Sequence, residues 1–201
     1  MARIRRGKNR LMDRRKFLRL GADKAAEIKA DFARSTPAWS GDNWIRPPFA
    51  EAEQDFLINC TRCDKCITAC EFNTLFKLSS DLAHPAAGTP AMDLLNRGCH
   101  MCADWPCVAA CEPDALKLPP GENGVPPKPE KFALAEIDTE HCLPYQGPEC
   151  GACADSCPLE GALNWRRGGR PVINSEICSG CGRCREACIV TPKAVKITLL
   201  P

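Results

Sequence analysis

The sequence predicts an α+β fold of small strands and short helices, laid out as tandem repeats behind a separate basic tail. Three observations carry this. Sixteen cysteines, about 8 % of the 201 residues, fall into four sets of four with none left over. Eighteen prolines and fourteen glycines stand against 6 % aromatic residues, a composition rich in turns and poor in large core side chains. Residues 1–19 carry nine Arg or Lys and one acid, Asp13, for a net +8, whereas the rest hold 18 basic and 24 acidic side chains, a net −6. The tail, 1–50, is therefore read apart from the body, 51–201.

The sets are Cys60, Cys63, Cys66, Cys70; Cys99, Cys102, Cys107, Cys111; Cys142, Cys150, Cys153, Cys157; and Cys178, Cys181, Cys184, Cys188. The first and fourth have gaps of two, two and three residues. The second widens its middle gap to four, the third widens its first gap to seven, and all keep a final gap of three. Two residues between thiolates let a tight loop wrap one metal core with backbone N–H groups turned inward. The final gap of three is expected to put the fourth cysteine on the first turn of a short helix, facing away from its own loop. That suits a ligand for a neighbouring cluster, as in two-cluster bacterial ferredoxins. Sixteen thiolates then serve four 4Fe–4S clusters. The body reads as tandem ferredoxin-like two-cluster units with sets at 60–70, 99–111, 142–157 and 178–188.

Other uses of cysteine fit less well. Disulfides between thiols this closely spaced would be strained and ambiguous in pairing. Structural zinc favours CxxC pairs separated by a longer loop, not three thiols within seven residues. Unliganded core cysteines have no reason to keep such regular spacing.

The segments between the sets agree with this layout. "DALKL" (114–118), "GALNW" (161–165) and "KAVKITL" (193–199) read as strands that follow cysteine sets, and "FALAEID" (132–138) and "RPVIN" (170–174) as strands that precede them. "RRGG" (166–169) reads as a turn, with Gly168 and Gly169 free to adopt positive φ. "LPPGENGVPPKPEK" (118–131) reads as a surface loop joining two halves. No apolar run approaches the length of a membrane span. Cluster binding takes the place of most of a hydrophobic core, so the chain without clusters is expected to be largely unfolded.

These motifs resemble the ferredoxin-type proteins encoded with periplasmic nitrate reductase, the NapF and NapG types, and with methylamine dehydrogenase, the MauM type. "RRKFLR" (14–19), "RPPF" (46–49) and "FLINCTRCDKCITAC" (56–70) look like the NapF type. "GTPAMDLLNRGCHMCADWPCVAAC" (88–111) and "CSGCGRCREACIVTPKAVKI" (178–197) are closer to NapG and MauM, and "CLPYQGPECGACADSC" (142–157) is similar to both. All sixteen cysteines fall on the family's ligand positions. The chain departs from the pattern after the fourth cysteine: only Cys157 is followed by proline, with Glu71, Glu112 and Ile189 in the other three places.

The resemblance implies an electron-transfer or accessory iron–sulfur protein and no enzyme of its own. Its expected partner is a redox protein, first of all a molybdenum-containing reductase before export. A free polyferredoxin passing electrons between a dehydrogenase and a reductase, and an exported relay to a quinol-linked system, are the alternatives. The widened second set also resembles the electron-transfer subunits of molybdenum oxidoreductases, which implies nested pairing of the sets. Cys188 would then join Cys60, Cys63 and Cys66, and Cys70 would join Cys178, Cys181 and Cys184. Cys157 would join Cys99, Cys102 and Cys107, and Cys111 would join Cys142, Cys150 and Cys153. The 28, 30 and 20 residues between sets do not by themselves choose between nested and sequential pairing.

Arg14-Arg15 with Phe17-Leu18 looks like a twin-arginine export signal, which needs 7–15 apolar residues next. From Arg19 to Arg34 no uncharged run exceeds three residues, so the expected location is cytoplasmic, with twin-arginine export to the periplasm as the alternative. NapF-type proteins stay in the cytoplasm and NapG-type proteins are exported, so the tail argues for the NapF role. Phe17, Gly21, Ala25, Ile28 and Phe32 share one face of a helix, with Asp13 as its candidate N-cap. A basic amphipathic helix suits docking to a partner or weak contact with an anionic membrane surface, and equally a helix packed on its own domain. Nucleic acid is not an expected partner, because the body is acidic and no aromatic pattern accompanies the arginines.

His84, His100 and His141 are not at metal-ligand spacing; two sit beside cysteines, where tuning competes with simple loop placement. Trp105 and Tyr145 lie inside cysteine loops and read as shields against water. No nucleotide-binding glycine loop, nucleophile–base pair or flavin fingerprint is present.

Overall fold

The computed structural model describes residues 44–80, 84–121 and 131–200. All belong to the compact unit Asn43–Pro201. The Arg14-Arg15 pair, the helix read over 17–32 and most of the proline-rich loop lie outside them. The elements are α1 (Glu53–Asn59), α2 (Lys65–Thr68), β1 (Leu75–Lys77), β2 (Pro90–Met92), α3 (Pro106–Ala109), β3 (Ala133–Ile137) and α4 (Leu143–Gln146). A 3₁₀ turn (Ala154–Ser156) follows, then β4 (Leu163–Arg166), β5 (Arg170–Ile173), α5 (Arg183–Ala187) and β6 (Val195–Leu199).

Each half repeats one plan: an outer strand, a cysteine set, two inner strands, a second set, and a closing outer strand. In the second half, β4 and β5 form a hairpin with Leu163 opposite Ile173, and β3 and β6 pair antiparallel with Ala135 opposite Ile197. The hairpin turns through Arg167, Gly168 and Gly169, and both glycines take the positive φ open to them, 83° and 66°. In the first half, β1 and β2 pair with Phe76 opposite Ala91. Its outer pair shrinks to one bridge between Ala50 and Leu116, held by Lys117 N–H to Phe49 O at 2.9 Å and Glu51 N–H to Ala115 O at 3.1 Å.

"DALKL" is thus a bridge and not a full strand. Its partner segment is broken by Pro47 and Pro48, which donate no N–H, and by Phe49 at φ 57°. Residues 44–50, read with the tail from sequence, are bonded to the body: Ile45 bridges Met92, and the Arg46 guanidinium pairs with Glu53 at 2.6 Å and donates to Thr89 Oγ1 and Pro90 O.

The core is thin. Fully buried side chains are led by Phe56, Leu116, Thr74, Thr89 and Pro171, and much of the rest is alanine, including Ala86, Ala91, Ala115, Ala133, Ala162 and Ala194. Small residues let the backbone close tightly around the cysteine loops. Among the described residues, no helix is long and apolar enough to cross a membrane.

Candidate metal centres

The cysteine loops owe their shape to local backbone. Two residues after the first cysteine of the first, second and fourth sets, Arg62, Met101 and Gly180 take positive φ, 59°, 48° and 74°. That turn aims the N–H of the same residue back at the cysteine sulfur: Arg62 at Cys60, Met101 at Cys99, and Gly180 at Cys178, at 3.4 Å. The next cysteines receive the N–H groups of Lys65 at Cys63 and Arg183 at Cys181. Inward-turned N–H groups, expected from the two-residue gaps, are therefore in place.

The short helix lies one step earlier than expected. α2, α3 and α5 carry the third cysteine of their sets, Cys66, Cys107 and Cys184, and the 3₁₀ turn sits in the same position between Cys153 and Cys157. The fourth cysteine follows the helix end instead of starting a helix. The chain then leaves its own loop in extended conformation, as at Cys157 (ψ 120°) and Cys188 (ψ 129°).

Where the fourth cysteine goes decides the pairing. Cys111 lines one cavity with Cys60, Cys63 and Cys66, walled by Phe56 and Leu116. Cys70 lines a second with Cys99, Cys102 and Cys107, walled by Trp105, Phe72 and Met92. Cys188 lines a third with Cys142, Cys150 and Cys153, walled by Ile137, Trp165 and Val190. Cys157 stands close enough to Cys178, Cys181 and Cys184 for its charge to raise all three thiols. The nested pairing is corrected to a sequential one: sets one and two exchange Cys70 and Cys111, and sets three and four exchange Cys157 and Cys188. The strands impose this. Outer strands pair within each half, so the second set of each half returns to the first before the chain moves on. We call the sites first (Cys60, Cys63, Cys66, Cys111), second (Cys70, Cys99, Cys102, Cys107), third (Cys142, Cys150, Cys153, Cys188) and fourth (Cys157, Cys178, Cys181, Cys184).

Electrostatics say what such a group needs. Burial pushes the thiols of Cys66, Cys99, Cys107 and Cys184 up to about 12, and Cys153 up to about 11. Neighbouring sulfurs add to this, as Cys111 and Cys60 do at Cys66. Four converging sulfurs in an apolar wall become stable thiolates only around a compensating cation core, and an all-sulfur donor set selects iron–sulfur clusters or zinc. Cys63 goes the other way: it is exposed, and the Lys65 N–H and then the Thr61 hydroxyl lower its thiol. The fourth cysteines receive further donors from beyond their sets, Leu116 N–H at Cys111 (3.3 Å) and Ala194 N–H at Cys188 (3.4 Å). Such bonds stabilise added negative charge on the sulfurs and so bear on reduction potential.

The remaining candidates sort as follows. Trp105 is buried, packs edge-on against Phe49 at 4.8 Å and closes the second site, a shield as expected. Tyr145 ties α4 to β5 through its hydroxyl, which donates to Pro171 O at 3.0 Å. His100 stacks on Phe72 at 3.5 Å beside the second site, where burial lowers its pKa. His141 pairs with Asp138 at 3.0 Å, and the backbone N–H of Ala86 donates to His84 Nδ1 at 2.9 Å. Phe72 and Trp165 also line these sites without a signal in the sequence. Each lies a short, varying distance beyond a fourth cysteine, which leaves no spacing signal.

A family model described as a 4Fe-4S dicluster domain matches residues 148–191, which hold seven of the eight cysteines of the second half. The ferredoxin-type protein NapG of Escherichia coli K12 is 33 % identical over 203 residues, covering 92 % of this chain and 84 % of its own length. The methylamine utilization ferredoxin-type protein MauM of Methylobacillus flagellatus is 33 % identical over 96 % of this chain and 85 % of its own. NapF of Escherichia coli K12 is 36 % identical over 82 % of this chain and 94 % of its own. No solved structure matches. With its ferredoxin-like halves and converging thiols, the chain belongs to the family of ferredoxin-type, 4Fe–4S electron-transfer proteins that includes NapG, NapF and MauM.

Proposed function

We propose that the chain holds four 4Fe–4S clusters on its sixteen cysteines and serves in the cytoplasm as an accessory protein to a molybdenum-containing reductase, of the periplasmic nitrate reductase kind, before that enzyme is exported. In this role it loads or reduces the reductase's cofactors and has no reaction of its own. The observation that carries the cluster number is the convergence of sixteen thiols into four groups of four, with none left over. The accessory role is supported by the likeness to NapG and NapF and by the +8 tail joined to a −6 body, a docking arm that a diffusing carrier does not need. Cytoplasmic residence is supported by the charges between Arg19 and Arg34, which interrupt the apolar stretch an export signal requires.

A second reading, an exported relay, draws on the likeness to NapG and MauM, which spans more of this chain than the likeness to NapF. A free carrier would bind its partners weakly, mainly through charge. Affinity capture from nitrate-grown cells, comparing the intact chain with one lacking residues 1–35, separates these roles, and cell fractionation tests the location. The accessory role expects a reductase precursor with the intact chain and its loss on truncation. Capture of no reductase by either form, with electrons still passed to soluble redox partners, contradicts it.

A further inference from the structure

The two halves meet through the cysteine loops themselves. Among the described residues, the hydrogen bonds that join them run between residues 95–101, which lead into the second set, and residues 179–186, which build the fourth. The Cys99 N–H donates to the Cys181 carbonyl at 2.7 Å, one cluster-loop residue bonded directly to another. The Gly98 N–H donates to Glu186 Oε2 at 3.0 Å, and Arg185 Nε donates to Leu95 O at 2.8 Å. The Ser179 hydroxyl reaches Met101 Sδ at 3.5 Å.

Two glycines make the approach this close. A Cβ at Gly98 would lie 2.6 Å from Arg183 Cα, backbone that cannot yield, and a Cβ at Gly182, itself at φ 78°, would lie 3.0 Å from Leu94 O. Within each half the two sites are also neighbours, because they exchange their fourth cysteines. α2, which carries Cys66, packs on α3, which carries Cys107, and α5, which carries Cys184, packs on the 3₁₀ turn after Cys153. The four sites therefore stand in an order that differs from their order in sequence: first, second, fourth, third.

We propose that this junction makes the molecule one single-file electron path in that order, with the first and third sites as its ends. The proposal rests on the four-cluster reading above. The ends follow from the order of the contacts, and each has a face a partner can reach: Cys63 is exposed at the first site, and Ile189 (69 % exposed) and Trp165 (40 %) flank the third. A reduced partner protein at one end gives one electron and is oxidised by one. Each transfer along the row oxidises one site and reduces the next, and an oxidised partner protein at the far end takes the electron up. No bond is made or broken and no proton need move. Gly98 and Gly182 act as positioning residues, since they hold the second and fourth sites together.

The test uses the full chain, reconstituted anaerobically and reduced, with spin–spin interaction read by electron paramagnetic resonance. One variant removes the first and third sites (Cys60→Ala, Cys66→Ala, Cys142→Ala, Cys153→Ala) and leaves the second and fourth. Another removes the first and fourth (Cys60→Ala, Cys66→Ala, Cys178→Ala, Cys184→Ala) and leaves the second and third. With about eight irons in each, the first variant is expected to show a broadened, fast-relaxing signal and the other two isolated signals. Isolated spins in the first variant, or interacting spins in the other, overturn the order.

Gly98→Ala, added to the variant that keeps only the second and fourth sites, is expected to slow spin relaxation at unchanged iron content, and unchanged relaxation counts against the junction. The same substitution in the intact chain, read by its iron content, controls for loss of folding. Far fewer than about sixteen irons in the intact chain defeats the four-cluster reading. Full loading with uncoupled second and fourth sites defeats only the path.

Discussion

Cys111 is the residue whose placement separates the two possible pairings most sharply. It leaves its own loop after α3, receives the Leu116 N–H on its sulfur at 3.3 Å, and comes to rest with Cys60, Cys63 and Cys66. Replacing it with alanine should leave the first site one ligand short. In anaerobic alkylation read by mass spectrometry, Cys111→Ala is expected to expose Cys60, Cys63 and Cys66. Labelling of Cys142, Cys150 and Cys153 instead would restore the nested pairing.

Asp138 is a second informative residue, buried where β3 ends and tied to the Lys196 ammonium at 2.9 Å. Lys196 first, then His141 and the Glu140 N–H, hold its carboxyl down at about 2, below its ordinary value of 3.8. A lowered carboxylate pKa contributes stability that is complete above the unfolded-state value and disappears as pH falls from about 4 towards 2. Between pH 6 and 8 the carboxylate is ionised in both states, so with its other partner His141 replaced by alanine, Asp138→Asn should lower the thermal midpoint by the same amount across that range. A loss of stability that shrinks from pH 6 to pH 8 would place the effect on a neighbouring group.

At the scale of elements, the loops and the strands differ in how far the sequence reveals them. Thiol spacing is local, and so are the N–H bonds aimed at the sulfurs of the first, second and fourth sets, which is why those tight loops are legible in the sequence. β3, β5, β6 and the Gly168-Gly169 turn also carry their own signals, short apolar runs and paired glycines. β1 and β2 do not: three residues each, one of them opening on Pro90, are too short to show a period. The crossing of the fourth cysteines was hidden for another reason. It follows from which distant strands pair, β3 with β6 and Ala50 with Leu116, and pairing choice is written in no single segment.

Gly98 and Gly180 carry no distinguishing signal in the sequence, and only close contacts give them a purpose. At Gly180, where φ is 74°, a Cβ would run into the Ala133 carbonyl. Gly180→Ala should therefore push the fourth-set loop off β3 and cost more than about 2 kcal/mol. Met101, at the matching place in the second set, already bears a side chain at φ 48°. Met101→Gly should keep the N–H aimed at Cys99 and change stability by no more than about 1 kcal/mol. Anaerobic denaturant titration of the cluster-loaded chain measures both, and equal effects would remove the distinction between the loops.

The whole molecule is organised by sulfur more than by apolar packing. Among the described residues the largest fully buried side chains are few, alanines fill much of the remainder, and four groups of thiols occupy the places where a larger core would sit. Thiols that burial and their neighbours push up to about 12 cannot hold such groups together as free anions near neutral pH. Metal binding and folding are then one event, and stripping the iron with a chelator should unfold most of the body. The central claim is that each group of four thiols holds one cluster of four irons. Iron and acid-labile sulfide, measured on chain reconstituted anaerobically and freed of unbound metal, test it most directly. The expected result is about sixteen of each per chain; stoichiometric zinc with little iron, or no more than about eight irons in a folded chain, would contradict it.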